Sequence, residues 1–101
     1  MPAINTIKTT EIFDDWFSSL KDRIAKSRIQ ARIDRAEDGN FGDCGSVGEG
    51  VFEMRIHAGA GYRVYYKQVG MAVFLLLAGG DKSTQQRDIE TALELARKIG
   101  E

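Results

Sequence analysis

Apolar residues change their spacing twice along the chain, and the changes divide it into helical and extended parts. Between Thr10 and Asp38, and again after Ser83, they recur every three or four positions, which is helical spacing. Ile12, Phe13, Trp16, Phe17 and Leu20 make one wide apolar face. Thr9 or Thr10 can cap that helix, and Glu11, Asp14 and Asp15 suit the positive end of its dipole. A second helix restarts at Asp22, with Ile24, Ala25, Ile29, Ile33 and Ala36 on one side and Gly39 placed to end it. In the last stretch Ser83 and Gln86 read as a capping box, Ile89, Ala92, Leu93, Ala96 and Ile99 as the apolar stripe, and Gly100 as the end.

Between Val51 and Ala78 the spacing falls to two, which predicts a meander of three strands: Val51–His57, Tyr62–Gln68 and Met71–Ala78. Ala58–Gly61 and Val69-Gly70 are the predicted turns. Phe52, Met54, Ile56, Tyr62, Val64 and Tyr66 fall on one face, and Glu53, Arg55, His57, Arg63, Tyr65 and Lys67 on the other. The third strand is apolar on both sides, so it is expected to be central and covered on both faces. Ala3–Lys8 reads as a short edge strand beside the meander. Gly39–Gly50 holds five glycines in twelve residues, and is expected to form a loop without regular structure. These elements predict an α+β fold in a single domain over residues 1–101. A small, mostly antiparallel sheet (short N-terminal edge strand plus three-strand meander) carries two N-terminal helices and one C-terminal helix, in the order β-α-α-β-β-β-α. The helices are expected on one face of the sheet.

A net charge of −1 removes any global attraction to nucleic acid or anionic lipid, so a nucleic-acid site must be a local patch. Arg55, Arg63, Lys67 and Lys82 can converge on the polar sheet face. Two arginines on adjacent strands, beside Tyr65, can hold a phosphate and stack a base. The alternative is a solvated face in which Glu53 pairs with Arg55. Lys21, Arg28, Arg32 and Arg35 form a stripe on the second helix, either a solvated face interleaved with Asp34, Glu37 and Asp38 or a contact for RNA or a partner. The glycine-rich loop either connects elements or holds Phe41, Asp43 or Cys44 near a ligand. The Asp81-Lys82 junction joins a strand end to a helix start, a setting that favours an anion.

One cysteine, Cys44, excludes an internal disulfide, and one histidine, His57, excludes two-histidine chemistry and histidine-rich metal sites. No GxSxG, GxGxxG or Walker motif is present, and no metal or cofactor is expected. The N-terminus lacks the features of a signal peptide, and no apolar run approaches the roughly 20 residues of a membrane span, so a cytoplasmic protein without a membrane partner is expected.

Three pieces, EMRIH (53–57), GYRVYY (61–66) and LLLAGGDKSTQQRDIETA (75–92), resemble the small toxins of the RelE/ParE superfamily. More narrowly they resemble its HigB-like addiction-module killer proteins, a group similar to phage Gp49-like proteins. The resemblance extends over nearly the whole chain. It implies a toxin of a type II toxin–antitoxin module, inhibiting translation by ribosome-dependent mRNA cleavage. The implied partners are a cognate helix-turn-helix antitoxin, the ribosome with its mRNA, and operator DNA only through the antitoxin. The alternative within the superfamily is a ParE-like toxin that inhibits DNA gyrase without nuclease activity.

On this resemblance Arg55 falls on the arginine of the family's LR motif, Arg63 on that of its YR motif, and Lys82 on the basic residue after the central strand. Arg55 and Arg63 are then expected to stabilise phosphorane charge, with Lys82 as a further cation and His57 or Tyr65 moving a proton. Lys67, Arg28, Arg32 and Arg35 are expected to bind RNA. The C-terminal tyrosine or histidine that acts in some ribosome-dependent relatives has no counterpart here.

Overall fold

The computed structural model describes residues 4–99. In chain order they form β1 (Thr6–Thr9), α1 (Glu11–Ser19), α2 (Arg23–Glu37), β2 (Cys44–Gly48), β3 (Val51–Ile56), β4 (Tyr62–Gly70), β5 (Val73–Asp81), a short 3-10 turn (Lys82–Thr84) and α3 (Gln85–Ile99). The predicted helices and meander are all present, in the predicted α+β arrangement. Ala3 and Gly100, the predicted first residue of the edge strand and the end of the last helix, lie outside the described residues.

Local chemistry starts and stops the first two helices as their sequences imply. Thr10 Oγ1 accepts from Phe13 N at 3.0 Å and donates to Leu77 O at 2.6 Å, so one hydroxyl caps α1 and pins it to β5. Asp22 caps α2 by accepting from Ala25 N at 3.0 Å. Gly39, at φ +91°, ends α2 in a Schellman motif: its N–H reaches Ala36 O, and Asn40 N–H reaches Arg35 O. At α3 the cap differs from the predicted Ser83–Gln86 box. The Asp81 side chain accepts from Ser83 N at 2.8 Å and opens the 3-10 turn that leads into the helix.

The sheet has five strands in the order β1-β5-β4-β3-β2. β1 pairs with β5 in parallel and the other pairs are antiparallel, so the sheet is mixed. β5 is interior, as its two-sided apolar run requires. Its residues alternate between two cores. Leu76 joins Phe13, Ile29, Met54, Val64 and Tyr66 beneath α1 and α2, while Leu77 joins Val51, Tyr65, Ala92 and Ala96 beneath α3. The helices therefore cover both faces, not one. Tyr65 and Tyr66 serve opposite cores by ordinary alternation, and the bulge opposite them in β5 places consecutive Leu77 and Ala78 together in the core beneath α3. Each fully buried large side chain contributes about 1.5–3 kcal/mol, so both layers are needed.

Two local expectations are corrected. The turn after β4 is Met71-Ala72, with Ala72 at φ +55°, and Val69-Gly70 belongs to the strand. The glycine-rich stretch contains a strand, β2. Its register, Cys44↔Met54, Gly45↔Glu53 and Ser46↔Phe52, extends the sheet at one edge. Pairing supplies the backbone hydrogen bonds that local propensity would not secure.

Candidate functional site

Antiparallel pairing of β3 with β4 sets Arg55 opposite Arg63 and Glu53 opposite Tyr65. Pairing of β4 with β5 puts Arg63 beside Gly80. Two cations directly opposed on adjacent strands repel, so acids must offset them. Glu53, 5% exposed, accepts from Arg55 Nε at 2.9 Å. Asp43 Oδ1 accepts from Arg55 Nη1 at 2.9 Å, and Asp43 Oδ2 lies 2.7 Å from His57 Nε2. The hydrogen bond from His57, then that from Arg55, holds the Asp43 carboxyl below its ordinary range. Glu53 first and Asp43 second push the Arg55 guanidinium further up.

The backbone around Asp43 is equally tied. Arg55 N donates to Asp43 O at 2.9 Å. Arg32 Nη2 donates to Phe41 O at 2.8 Å and to Asp43 O at 3.1 Å, and Arg32 Nη1 donates to Arg55 O. Gly45 has no Cβ for a steric reason, since one there would stand 2.6 Å from Arg55 Nη2. Gly45, one of the two glycines that obscure β2 in the sequence, thus makes room for the Arg55 guanidinium at the sheet edge.

Arg63 is half-buried between Arg55 and Gly80. Its Nε is buried with no protein hydrogen-bond partner among the described residues. Lys82 begins the 3-10 turn, its side chain against Gly61. It shares with His57–Gly61 a hollow of about 450 Å³. His57 also borders a second hollow of about 350 Å³, whose other walls are Arg28, Ala31, Arg32, Arg35 and Ile56. The structure therefore brings Arg55, Arg63, His57 and Lys82 to one end of the sheet, with Arg28 and Arg35 on the adjoining wall.

Three expected site residues stand apart. Tyr65 is wholly buried in the core beneath α3, its hydroxyl without a partner among the described residues, and burial pushes that hydroxyl up to about 12. It reaches no solvent-facing substrate and is corrected here to a core residue. Arg32 lines the second hollow, but its two Nη nitrogens hold backbone carbonyls, so it is a strap rather than a free cation. Lys67 pairs in register with Val51 and Leu75 at the opposite end of β4, roughly 13 Å of strand from Arg63. A charged neighbour lies there too: Glu49, held below the ordinary carboxylate range chiefly by Arg97, also feels Lys67.

Among the described residues, no group of three or more His, Cys, Asp or Glu side chains converges as a metal site would require. No described helix is long and apolar enough to cross a membrane.

Comparison with known proteins agrees with this architecture. An uncharacterized protein of Haemophilus influenzae is 54% identical over 94 residues, covering 93% of this chain and 95% of that one. A free-state structure of a double arginine-to-alanine mutant of the E. coli toxin RelE shares the fold. The TM-score is 0.69 over 98% of this chain and 99% of that one, at 12% identity. Residues 15–99 match the family of phage-derived Gp49-like proteins. The chain belongs to that Gp49-like family and has the fold of RelE.

Proposed function

We propose that this protein is the toxin of a type II toxin–antitoxin module, and that it arrests translation by cutting mRNA on the ribosome. The observation that supports this reading best is the grouping of Arg55, Arg63, His57 and Lys82 at one end of the sheet, with two hollows meeting at His57, one walled by Arg28, Arg32 and Arg35 and the other closed by Lys82.

Cleavage by the RNA's own 2′-hydroxyl needs three things: removal of that proton, stabilisation of charge on the phosphorane, and a proton for the leaving 5′ oxygen. His57 accepts the first proton. Arg63 and Lys82 face the developing charge, and the Lys82 ammonium supplies the leaving-group proton. The products are a 2′,3′-cyclic phosphate and a 5′-hydroxyl. Arg55 has two of its three nitrogens on carboxylates, so its main contribution is to hold the site together. Arg28 and Arg35 guide the flanking backbone. With so few mobile groups, much of the rate must come from orienting the RNA, which the ribosome supplies. Pure protein is therefore expected to cut naked mRNA slowly or not at all.

An antitoxin encoded beside the toxin would hold it silent, by analogy with the family. The test is induced expression in bacteria of the wild type and Arg63→Ala, with growth and transcript ends followed together. Growth arrest with new ends inside translated regions is expected for the wild type. Both should fall roughly 10²–10³-fold in the variant, the cost of one transition-state charge stabiliser. Arrest with intact transcripts and damaged DNA would overturn the nuclease and point to a gyrase inhibitor.

A further inference from the structure

We propose that Asp43 is a positioning residue that fixes His57 in the tautomer able to take a proton. This rests on the reading of His57 as proton acceptor in RNA cleavage. With Nε2–H donating to Asp43 Oδ2, the neutral ring carries its lone pair on Nδ1, the nitrogen presented to the 2′-hydroxyl.

Asp43 is itself held from three sides. Its Oδ1 takes Arg55 Nη1, and its carbonyl takes Arg55 N–H and Arg32 Nη2. Arg55 is anchored in turn on buried Glu53, which also receives Gln85 Nε2 at 3.4 Å. A line of partners thus runs Glu53–Arg55–Asp43–His57, from under α3 to the rim of both hollows.

Stability does not explain the outer link. The His57 and Asp43 side chains are 75% and 47% exposed, and exposed pairs of this kind contribute at most about 1 kcal/mol and often nothing measurable. Orientation does explain it, because a ring held through Nε2 loses its freedom to present the wrong nitrogen. In the step, the 2′-hydroxyl proton passes to Nδ1 and the 2′ oxygen bonds to phosphorus. The bond to the 5′ oxygen breaks, and Lys82 returns a proton to that oxygen.

His57 is the only histidine in the chain, so ¹⁵N spectra of the untagged protein in alkaline buffer read its tautomer without assignment. The wild type should be predominantly Nε2–H. Asp43→Ala should give a mixture, and Asp43→Asn, whose single amide oxygen is taken by Arg55 Nη1, should turn its NH2 to Nε2 and shift the ring to Nδ1–H. On programmed ribosomes Asp43→Ala should cut about tenfold or more slowly with ribosome binding unchanged, and Asp43→Asn should cut at least as slowly because it holds the wrong tautomer. A tautomer unchanged in Asp43→Ala overturns the proposal, and so does a changed tautomer with an unchanged rate. His57→Ala separates this from the underlying reading. If His57→Ala cuts as fast as wild type, or the wild type cuts nothing, the acceptor role of His57 fails. The tautomer then decides alone whether Asp43 orients the ring.

Discussion

Against α1 and α2 the sheet presents Met54, Ile56, Tyr62, Val64, Tyr66 and Leu76, an unbroken apolar surface. Against α3 it presents Val51, Tyr65, Leu77 and Ala78, with Glu53 and Arg63 set among them. The first face meets Phe13, Ile29 and Ile33 together with Ala25 and Ala36, all buried. The second meets only Ala92 and Ala96 as buried helix residues, with Ile89, Leu93 and Leu95 partly exposed around them. A helix that approaches on alanines leaves a thin layer, and the thin layer ends where the arginines begin. The thick face supplies cohesion, and the thin one holds cations half-buried at its rim, where they keep their direction without losing their reach.

The sharpest test is truncation on each side. Ile29→Ala removes a side chain that is fully buried in the thick core and should cost about 2–5 kcal/mol. Leu93→Ala, half-buried in the thin layer, should cost clearly less. Urea unfolding of both variants measures the difference, and equal losses would break the distinction between the faces.

Two adjacent glycines divide the faces more finely. A Cβ on Gly79 would run into the Trp16 ring, which is flanked by Phe13 at 5.7 Å and Tyr62 at 6.4 Å between ring centres. A Cβ on Gly80 would meet the Asp88 carboxylate and stand 2.9 Å from the Thr84 hydroxyl. A packed ring yields at greater cost than the tip of an aspartate. Gly79→Ala should therefore lose about 1–3 kcal/mol by thermal or urea unfolding. Gly80→Ala should lose less stability but more cleavage, because it displaces the start of α3 beside Arg63 and Lys82. A Gly80→Ala protein with wild-type activity would detach the site from the position of α3.

These contrasts also show what a reader of the sequence can and cannot reach. Helical and two-residue spacing located α1, α2, α3 and β3 to β5, because side-chain burial imposes those periods directly. The two-sided apolar run of β5 already required cover on both faces, and α3 supplies it. β2 was hidden because two of its five residues are glycines and glycines flank it on both sides, and its strand character comes from β3 and from the Arg55 guanidinium lying over Gly45. In the candidate site, Arg55, Arg63, His57 and Lys82 were accessible through alternation and motif resemblance. Asp43 was visible only as one of three residues in a loop, since nothing local ties it to His57 fourteen positions away. Tyr65 misled for the opposite reason: alternation places it correctly on the face of Arg63, but alternation carries no information about the helix that buries that face.

Tyr65 also gives the smallest and most discriminating prediction. Its hydroxyl is buried without a partner among the described residues, an arrangement that costs rather than contributes. Tyr65→Phe removes that hydroxyl and keeps the ring, so at neutral pH it should be neutral or stabilising by up to about 1 kcal/mol. If Tyr65 is core, as its burial implies, cleavage should be unaffected, and a lost rate would restore it to the chemistry. The alkaline side gives an independent check. Burial raises the folded hydroxyl from 10.0 to about 12, so the folded state keeps its proton where the unfolded chain has lost it. The stabilisation linked to that proton is complete below the unfolded value and is lost as pH rises through the folded one. Wild-type stability should therefore decline between about pH 10 and 12. The decline should be shallower in Tyr65→Phe, with Tyr66, also pushed up by burial, accounting for part of what remains. Urea midpoints measured at stepped alkaline pH separate the two curves, and parallel declines would mean that the Tyr65 hydroxyl reaches water and that the thin face is open where the structure closes it.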